Sequence, residues 1–214
     1  MKIHLALVFL FSSLAAQGSL FSKKSPHPNY ERLRTGDIVF QDTGGAQGEA
    51  VRAATKSPFT HCGVVFETNG QFYVLEAVQP VQVIPLKRWK ARSKIFHARR
   101  LKNPRPLDAA AIKKASAWGN AQLRKNYDSL FQWGDDELYC SELVWKVYKR
   151  AANIELCQPK PFSAYFLTDP VVVKIVQDRY GALEKLPKNE PVVAPSDLAD
   201  SVLLVEVPRR PKKK

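Results

Sequence analysis

The sequence predicts an α+β domain in which an antiparallel sheet packs against helices. Three observations lead there. A β-branched segment, FTHCGVVFE, joins a second, FYVLEAV, through Asn69-Gly70, the signature of a hairpin. Short strand-like runs flank that pair. Two longer segments repeat their apolar residues at helical spacing. With 214 residues, 45% hydrophobic and 25% charged, the chain suits one domain with one core.

Each element follows from its residues. Residues 19–31 are a polar lead-in containing proline. Thr35-Gly36-Asp37 turns into a short strand, Ile38–Gln41. GAQGEAVRAAT places Ala46, Ala50, Val51 and Ala54 on one helical face, and Pro58 stops it. After the hairpin, VQVIPL and KIFHARRL supply two more strands. Pro106 and Asp108 open a helix over 108–124 that runs through Ile112, Ala115 and Trp118. The loop NYDSLFQWGDDELY leads to an amphipathic helix that begins at Cys140, carries Leu143, Val144, Val147 and Ala151, and ends near Ile154. FSAYFLTDPVVVKIV mixes both periodicities and receives no assignment. Residues 185–197 read as a proline- and charge-rich loop, and SVLLVEV as a last strand. No internal repeat or clean linker interrupts the body, so the domain is expected over 30–207.

The ends have their own character. Residues 1–18 combine Lys2, an apolar run from Leu5 to Leu14 and small residues, the composition of a secretory signal peptide. The run is too short to span a bilayer, which needs about 20 residues. An uncleaved anchor is the competing reading; cleavage after Ala15, Ala16 or Gly18 fits the small residues there. The expected location is secreted or periplasmic, with no transmembrane segment in the mature chain. Losing residues 1–18 removes Lys2 and no acidic residue, so a net charge of +13 becomes +12. Such a surface is drawn to anionic polymers and membrane faces. The tail, 208–214, concentrates the charge in PRRPKKK. An exported protein does not meet nucleic acid, so the tail is expected to be solvated or to rest on anionic envelope components.

Three cysteines, Cys62, Cys140 and Cys157, leave at least one thiol unpaired in an oxidising compartment, and Cys62–Cys157 is one conceivable disulfide. A thiol at a helix start feels the dipole, which favours thiolate. Alternatively, Cys140 is a small buried hydrophobe. Its neighbours decide. Alternation places His61, Gly63 and Val65 on one face of the first hairpin strand, with Cys62 on the other, pointing away from that site, and Gly63 leaving open space beside the imidazole. With Asn69-Gly70 at the tip, residues whose numbers sum to about 139 face each other, so Glu76 lies one diagonal step from His61. A carboxylate among hydrophobes requires a partner, and His61 is the economical one. Cys140 as nucleophile, His61 as base and Glu76 as the group that orients the imidazole make a thiol-nucleophile constellation. Helix N-terminal N–H groups would hold the oxyanion.

These residues also carry a resemblance. LRTGDIVFQ, SPFTHCGVVFE, YVLEAV and YDSLFQWGDDELYCSELVWKVY, in that order and with PSDLADS near the end, resemble the YiiX/YebB-like branch of the NlpC-type papain-like enzymes over about residues 33–205. The resemblance implies a circularly permuted papain-like fold, with the histidine strand before the cysteine helix. It also implies a cysteine peptidase or amidase with Cys140, His61 and Glu76 in the roles above. Family members of this kind are linked to cell-wall peptides, so the expected substrate is a peptide or amide-containing compound, peptidoglycan fragments among them.

Further candidates have competing structural readings. Asp37 either contacts substrate or caps its turn. Tyr127 and Tyr139 either line the site or pack as aromatics. Asp135 and Asp136 either solvate the loop or favour the helix start. His97 reads as an exposed strand residue. No His/Cys pair has zinc spacing, so neither metal nor cofactor is expected. Two alternatives to the amidase are a lipid-directed thiol acyltransferase or hydrolase of the lecithin:retinol acyltransferase-like type and a non-catalytic binding module. The first of these carries an Asn-Cys-Glu-His motif where this chain has Tyr-Cys-Ser-Glu.

Overall fold

The computed structural model describes residues 33–208. The expected leader, residues 1–18, and residues 209–214 of the basic tail lie outside them. In chain order the elements are β1 (Ile38–Gln41), α1 (Gly45–Thr55), β2 (His61–Thr68), β3 (Gln71–Glu76), β4 (Gln82–Pro85), α2 (Leu86–Lys90), β5 (His97–Leu101), α3 (Ala109–Ala121), α4 (Cys140–Ala152), β6 (Lys160–Pro161), α5 (Pro170–Tyr180), β7 (Pro191–Val192), α6 (Pro195–Ala199) and β8 (Leu204–Glu206). Six strands form an antiparallel sheet in the order β4-β3-β2-β1-β5-β8, so the fold is α+β as expected. The hairpin register is Val64↔Leu75 and Val65↔Val74, the pairing that the Asn69-Gly70 tip dictates.

The sheet is covered on both faces. Ile38, Phe40, Cys62, Val64 and Leu75 point to α4 and join Leu143, Val144 and Val147 in the main core. Val39, Val65, Val74 and Ala98 point the other way and pack with Trp89 and Phe96. A third cluster, Ala50, Val172, Val176 and Leu186, joins α1 to α5 at the side.

Helix α4 departs from the amphipathic expectation. Every residue from Cys140 to Tyr148 is buried, because sheet, α3 and α6 enclose it. Buried Glu142 and Lys146 therefore need partners. They find each other at 2.8 Å, one turn apart, and Lys146 also reaches Asp135 Oδ1 at 2.8 Å. Burial pushes the Glu142 carboxyl up to about 7 against the pull of Lys146. Removing either partner of such a pair costs about 3–5 kcal/mol.

The unassigned stretch contains α5. Its signals stand in the sequence: Asp169 caps the start through Val171 N–H at 3.1 Å, Pro170 occupies the first turn, and Gly181, at φ 81°, ends it. The region read as a loop, 185–197, contains β7 and the start of α6, whose two-residue and five-residue lengths leave no periodicity to detect. His97 is tucked in rather than exposed, stacked on Phe59 at 5.3 Å.

Gly63 does not leave open space. A Cβ there would lie 2.5 Å from Val74 Cγ1 and 2.8 Å from the Leu75 carbonyl oxygen. The glycine lets β3 approach β2 closely where Glu76 must meet His61. Gly63→Ala is expected to cost about 1–3 kcal/mol in chemical denaturation, since backbone has to move to admit the methyl.

Candidate active site

The site forms where the start of β2, the end of β3 and the first turn of α4 converge. His61 is 4% exposed, Cys140 4% and Glu76 0%. The carboxylate of Glu76 is held by four donors. His61 Nε2 lies 2.7 Å from Oε2, and Trp89 Nε1 donates to the same oxygen at 2.9 Å. Gln82 Nε2, across the β3–β4 ladder, donates to Oε1 at 2.8 Å, and Arg92 Nη1 at 2.6 Å. Burial opposes ionisation, yet His61, Gln82 and Arg92 bring the carboxyl below its ordinary range. An ionised Glu76 only accepts, so it fixes the proton of His61 on Nε2. The other ring nitrogen, Nδ1, is left for the Cys140 thiol, which lies within electrostatic reach of the imidazole. Trp89 stacks beside the imidazole at 6.1 Å and limits its rotation.

Charge follows geometry. The neighbouring Cys62 thiol is the largest influence lowering the Cys140 thiol well below its ordinary range; burial opposes this, and His61 and the Cys62 backbone add to it. Burial opposes the imidazolium, but the thiolate on one side and Glu76 on the other push His61 up to about 9. Near neutral pH the pair is therefore thiolate and imidazolium. Burial, and the thiolate beside it, drive Cys62 well above its usual value, and burial pushes Cys157 up to about 12.

Two sequence expectations need correction here. Cys62 does not point away from the site: the face opposite to the His61 side chain is the face that α4 covers, so Cys62 sits in the core beside Cys140. It is not joined to Cys157; all three thiols are free. Asp37 does not approach the site. It stands at the other end of β1 from Gln41, the partner of His61, about 13 Å away along the strand. It is 2% exposed and binds Arg100 through Nε at 2.8 Å and Nη2 at 2.7 Å, while Arg34 N–H donates to it at 2.8 Å. That pairing anchors β1 to β5 and leaves Asp37 nothing for substrate.

Tyr127 and Tyr139 do line the groove onto which Cys140 opens. A parallel bridge between Tyr127 and Leu138 places the first beside the start of α4, within the electrostatic reach of Cys140. Tyr139 is committed at its hydroxyl, which accepts from Val193 N–H at 3.2 Å, so it serves as wall. Sequence reasoning missed Trp89, Gln82 and Arg92. The signal for Gln82 was its strand neighbourhood to Glu76; for Trp89 and Arg92, in and just after a five-residue helix, there was none.

Residues 32–207 match the family described as permuted papain-like amidase enzyme, YaeF/YiiX, C92 family. The uncharacterized protein YiiX of Escherichia coli (strain K12) is 35% identical over 176 residues, which span 81% of this chain and 85% of that protein. A crystal structure described as that of the metalloprotein YiiX from Escherichia coli O157:H7 superposes with a TM-score of 0.76 at 35% identity, covering 83% of this chain and 97% of that one. Among the described residues here, no three His, Cys, Asp or Glu side chains gather into a group that could hold a metal.

The ion pair has a pH signature. Iodoacetamide is expected to alkylate Cys140 well below pH 9 and to spare Cys62 and Cys157, as read by mass spectrometry at each thiol. Cys62→Ala removes the largest influence lowering the Cys140 thiol, so the acid limb of that profile moves to higher pH. Glu76→Gln removes the charge that holds the imidazolium, so any limb set by His61 moves below about 9. A Cys140 profile unchanged by both substitutions would contradict the geometry.

Proposed function

The chain belongs to the permuted papain-like amidase family, and on that premise we propose that it is a thiol hydrolase cleaving the amide bond of an N-acylated peptide or amine, with the acyl chain in the groove. The observation that carries this reading is where Cys140 opens: a groove walled by Ala50, Val51, Val172, Ile175, Val176 and neighbouring apolar and aromatic groups. Among the described residues, Arg179 is the one basic side chain in its lining. A bare cell-wall peptide, rich in carboxylates and amines, leaves such a wall unused, whereas an apolar acyl group gains about 0.8 kcal/mol for each CH₂ it buries.

The chemistry follows from the residues in place. The Cys140 thiolate attacks the carbonyl carbon, and the π electrons move to oxygen. The N–H of Cys140, in the first turn of α4 and without a helical acceptor, faces that oxyanion together with the Tyr127 hydroxyl. His61 Nδ1–H protonates the leaving nitrogen as the C–N bond breaks, and a thioester remains on Cys140. Neutral His61 then takes a proton from water, whose oxygen attacks the thioester. The C–S bond breaks, and thiolate, imidazolium and free acid result. Glu76 holds the ring in line throughout.

The leader-like residues 1–18 support action in the cell envelope, at the periplasmic or outer surface. There acylated peptides, peptidoglycan fragments among them, meet a strongly basic chain that anionic surfaces attract. A lipid-directed acyl transfer would begin with the same thioester and differ in using an alcohol or amine in place of water.

Hydrolysis of N-octanoyl and N-acetyl aminocoumarin amides tests the reading. The octanoyl amide is expected to be preferred at least tenfold in kcat/KM, and Cys140→Ala to abolish turnover. Equal rates for both chain lengths, or activity surviving Cys140→Ala, would overturn it.

A further inference from the structure

Three residues from distant parts of the chain meet on the groove wall. Arg179, on α5, donates from Nη2 to Gln47 Oε1 at 2.6 Å. Gln47, on α1, donates from Nε2 to the Tyr127 hydroxyl at 2.8 Å. Arg179 is itself fixed: Nη1 donates to the Ser129 carbonyl at 2.7 Å, and the guanidinium lies over the Phe131 ring at 5.3 Å. Among the described residues it pairs with no carboxylate.

The direction of each bond is dictated by chemistry. A guanidinium has donors only, so the Gln47 carbonyl oxygen must face Arg179. The amide NH₂ of Gln47 must then face Tyr127. An NH₂ only donates, so the Tyr127 oxygen must accept. Its own hydrogen is thereby excluded from Gln47 and turned to another acceptor. Tyr127 lines the groove with Cys140, and burial together with the nearby thiolate keeps its proton bound.

We propose that Gln47 and Arg179 are positioning residues for hydrolysis: through an Arg179→Gln47→Tyr127 chain of donors they hold the Tyr127 hydroxyl hydrogen toward the carbonyl oxygen of the acyl group that Cys140 attacks. The inference rests on the thiol-hydrolase reading above. It assigns α1 and α5 a task beyond walling the groove. No proton is transferred along the chain; it sets an orientation before the oxyanion forms, so its effect falls on the step rather than on binding.

Gln47→Glu is the sharp test, since it keeps the shape and reverses one donor. Held ionised by Arg179, the new carboxylate only accepts, and the Tyr127 hydroxyl would turn to donate to it. With p-nitrophenyl octanoate as probe, kcat is expected to fall at least tenfold with KM within twofold. Tyr127→Phe is expected to fall by a similar factor or more. The double variant, Gln47→Glu with Tyr127→Phe, is expected to match Tyr127→Phe alone, because no hydroxyl remains to misdirect. Arg179→Lys keeps a donor for Gln47 and is expected to retain more kcat than Arg179→Met. Thermal midpoint and the rate of Cys140 alkylation at pH 6 establish that each variant is folded with its ion pair intact. Unchanged kcat in Gln47→Glu, or losses that multiply in the double variant, would overturn the relay while leaving the hydrolase standing. Turnover that survives Cys140→Ala would overturn the hydrolase itself.

Discussion

The rest of the site depends on one buried carboxylate. Glu76 is fully enclosed at the end of β3, where an isolated charge would be costly. Four donors from β2, β4, α2 and the turn after it converge on its two oxygens. That arrangement makes ionisation the cheaper state, and an ionised Glu76 determines which nitrogen of His61 carries a fixed proton. The remaining nitrogen must then deal with Cys140. Sheet register, side-chain tautomer and thiol reactivity are thus a single chain of constraint. Gly63 belongs to it as well, because only a residue without Cβ lets β3 come close enough.

Around that point the fold separates two tasks. The sheet and α4, buried from Cys140 to Tyr148, provide rigidity: thiol and imidazole sit on elements whose neighbours leave them no freedom to move apart. The groove is built by the third cluster, where α1 and α5 meet away from the main core. The thiol–imidazole pair and the groove are accordingly placed on different packing units. Cys62 belongs to the main core and is at the same time the largest influence on the Cys140 thiol.

Much of this was legible in the sequence, for identifiable reasons. Asn69-Gly70 fixed the hairpin register, and the register brought Glu76 within reach of His61; both follow from local turn chemistry. The start of the Cys140 helix was readable from its apolar spacing. What failed had physical causes too. Strict alternation places Cys62 and His61 on opposite faces, yet both act on Cys140, because β2 begins at His61 and α4 packs against that strand. Asp37 was a plausible site residue until Arg100, 63 positions away, claimed it. The α5 helix was hidden by β-branched valines despite an Asp-Pro start and a Gly stop. Trp89, Arg92 and the Gln47–Arg179 contact join residues with no periodic relation, so only the folded chain brings them to view.

The central claim is that His61 is an imidazolium at neutral pH because thiolate and carboxylate bracket it. Nitrogen-15 NMR of the His61 ring, followed from pH 5 to 10 in the full chain, reads this directly. Both ring nitrogens are expected to stay protonated through neutrality and to titrate near 9, with the transition moving to lower pH in Cys140→Ala. A neutral ring at pH 7, or a titration indifferent to Cys140, would contradict the account.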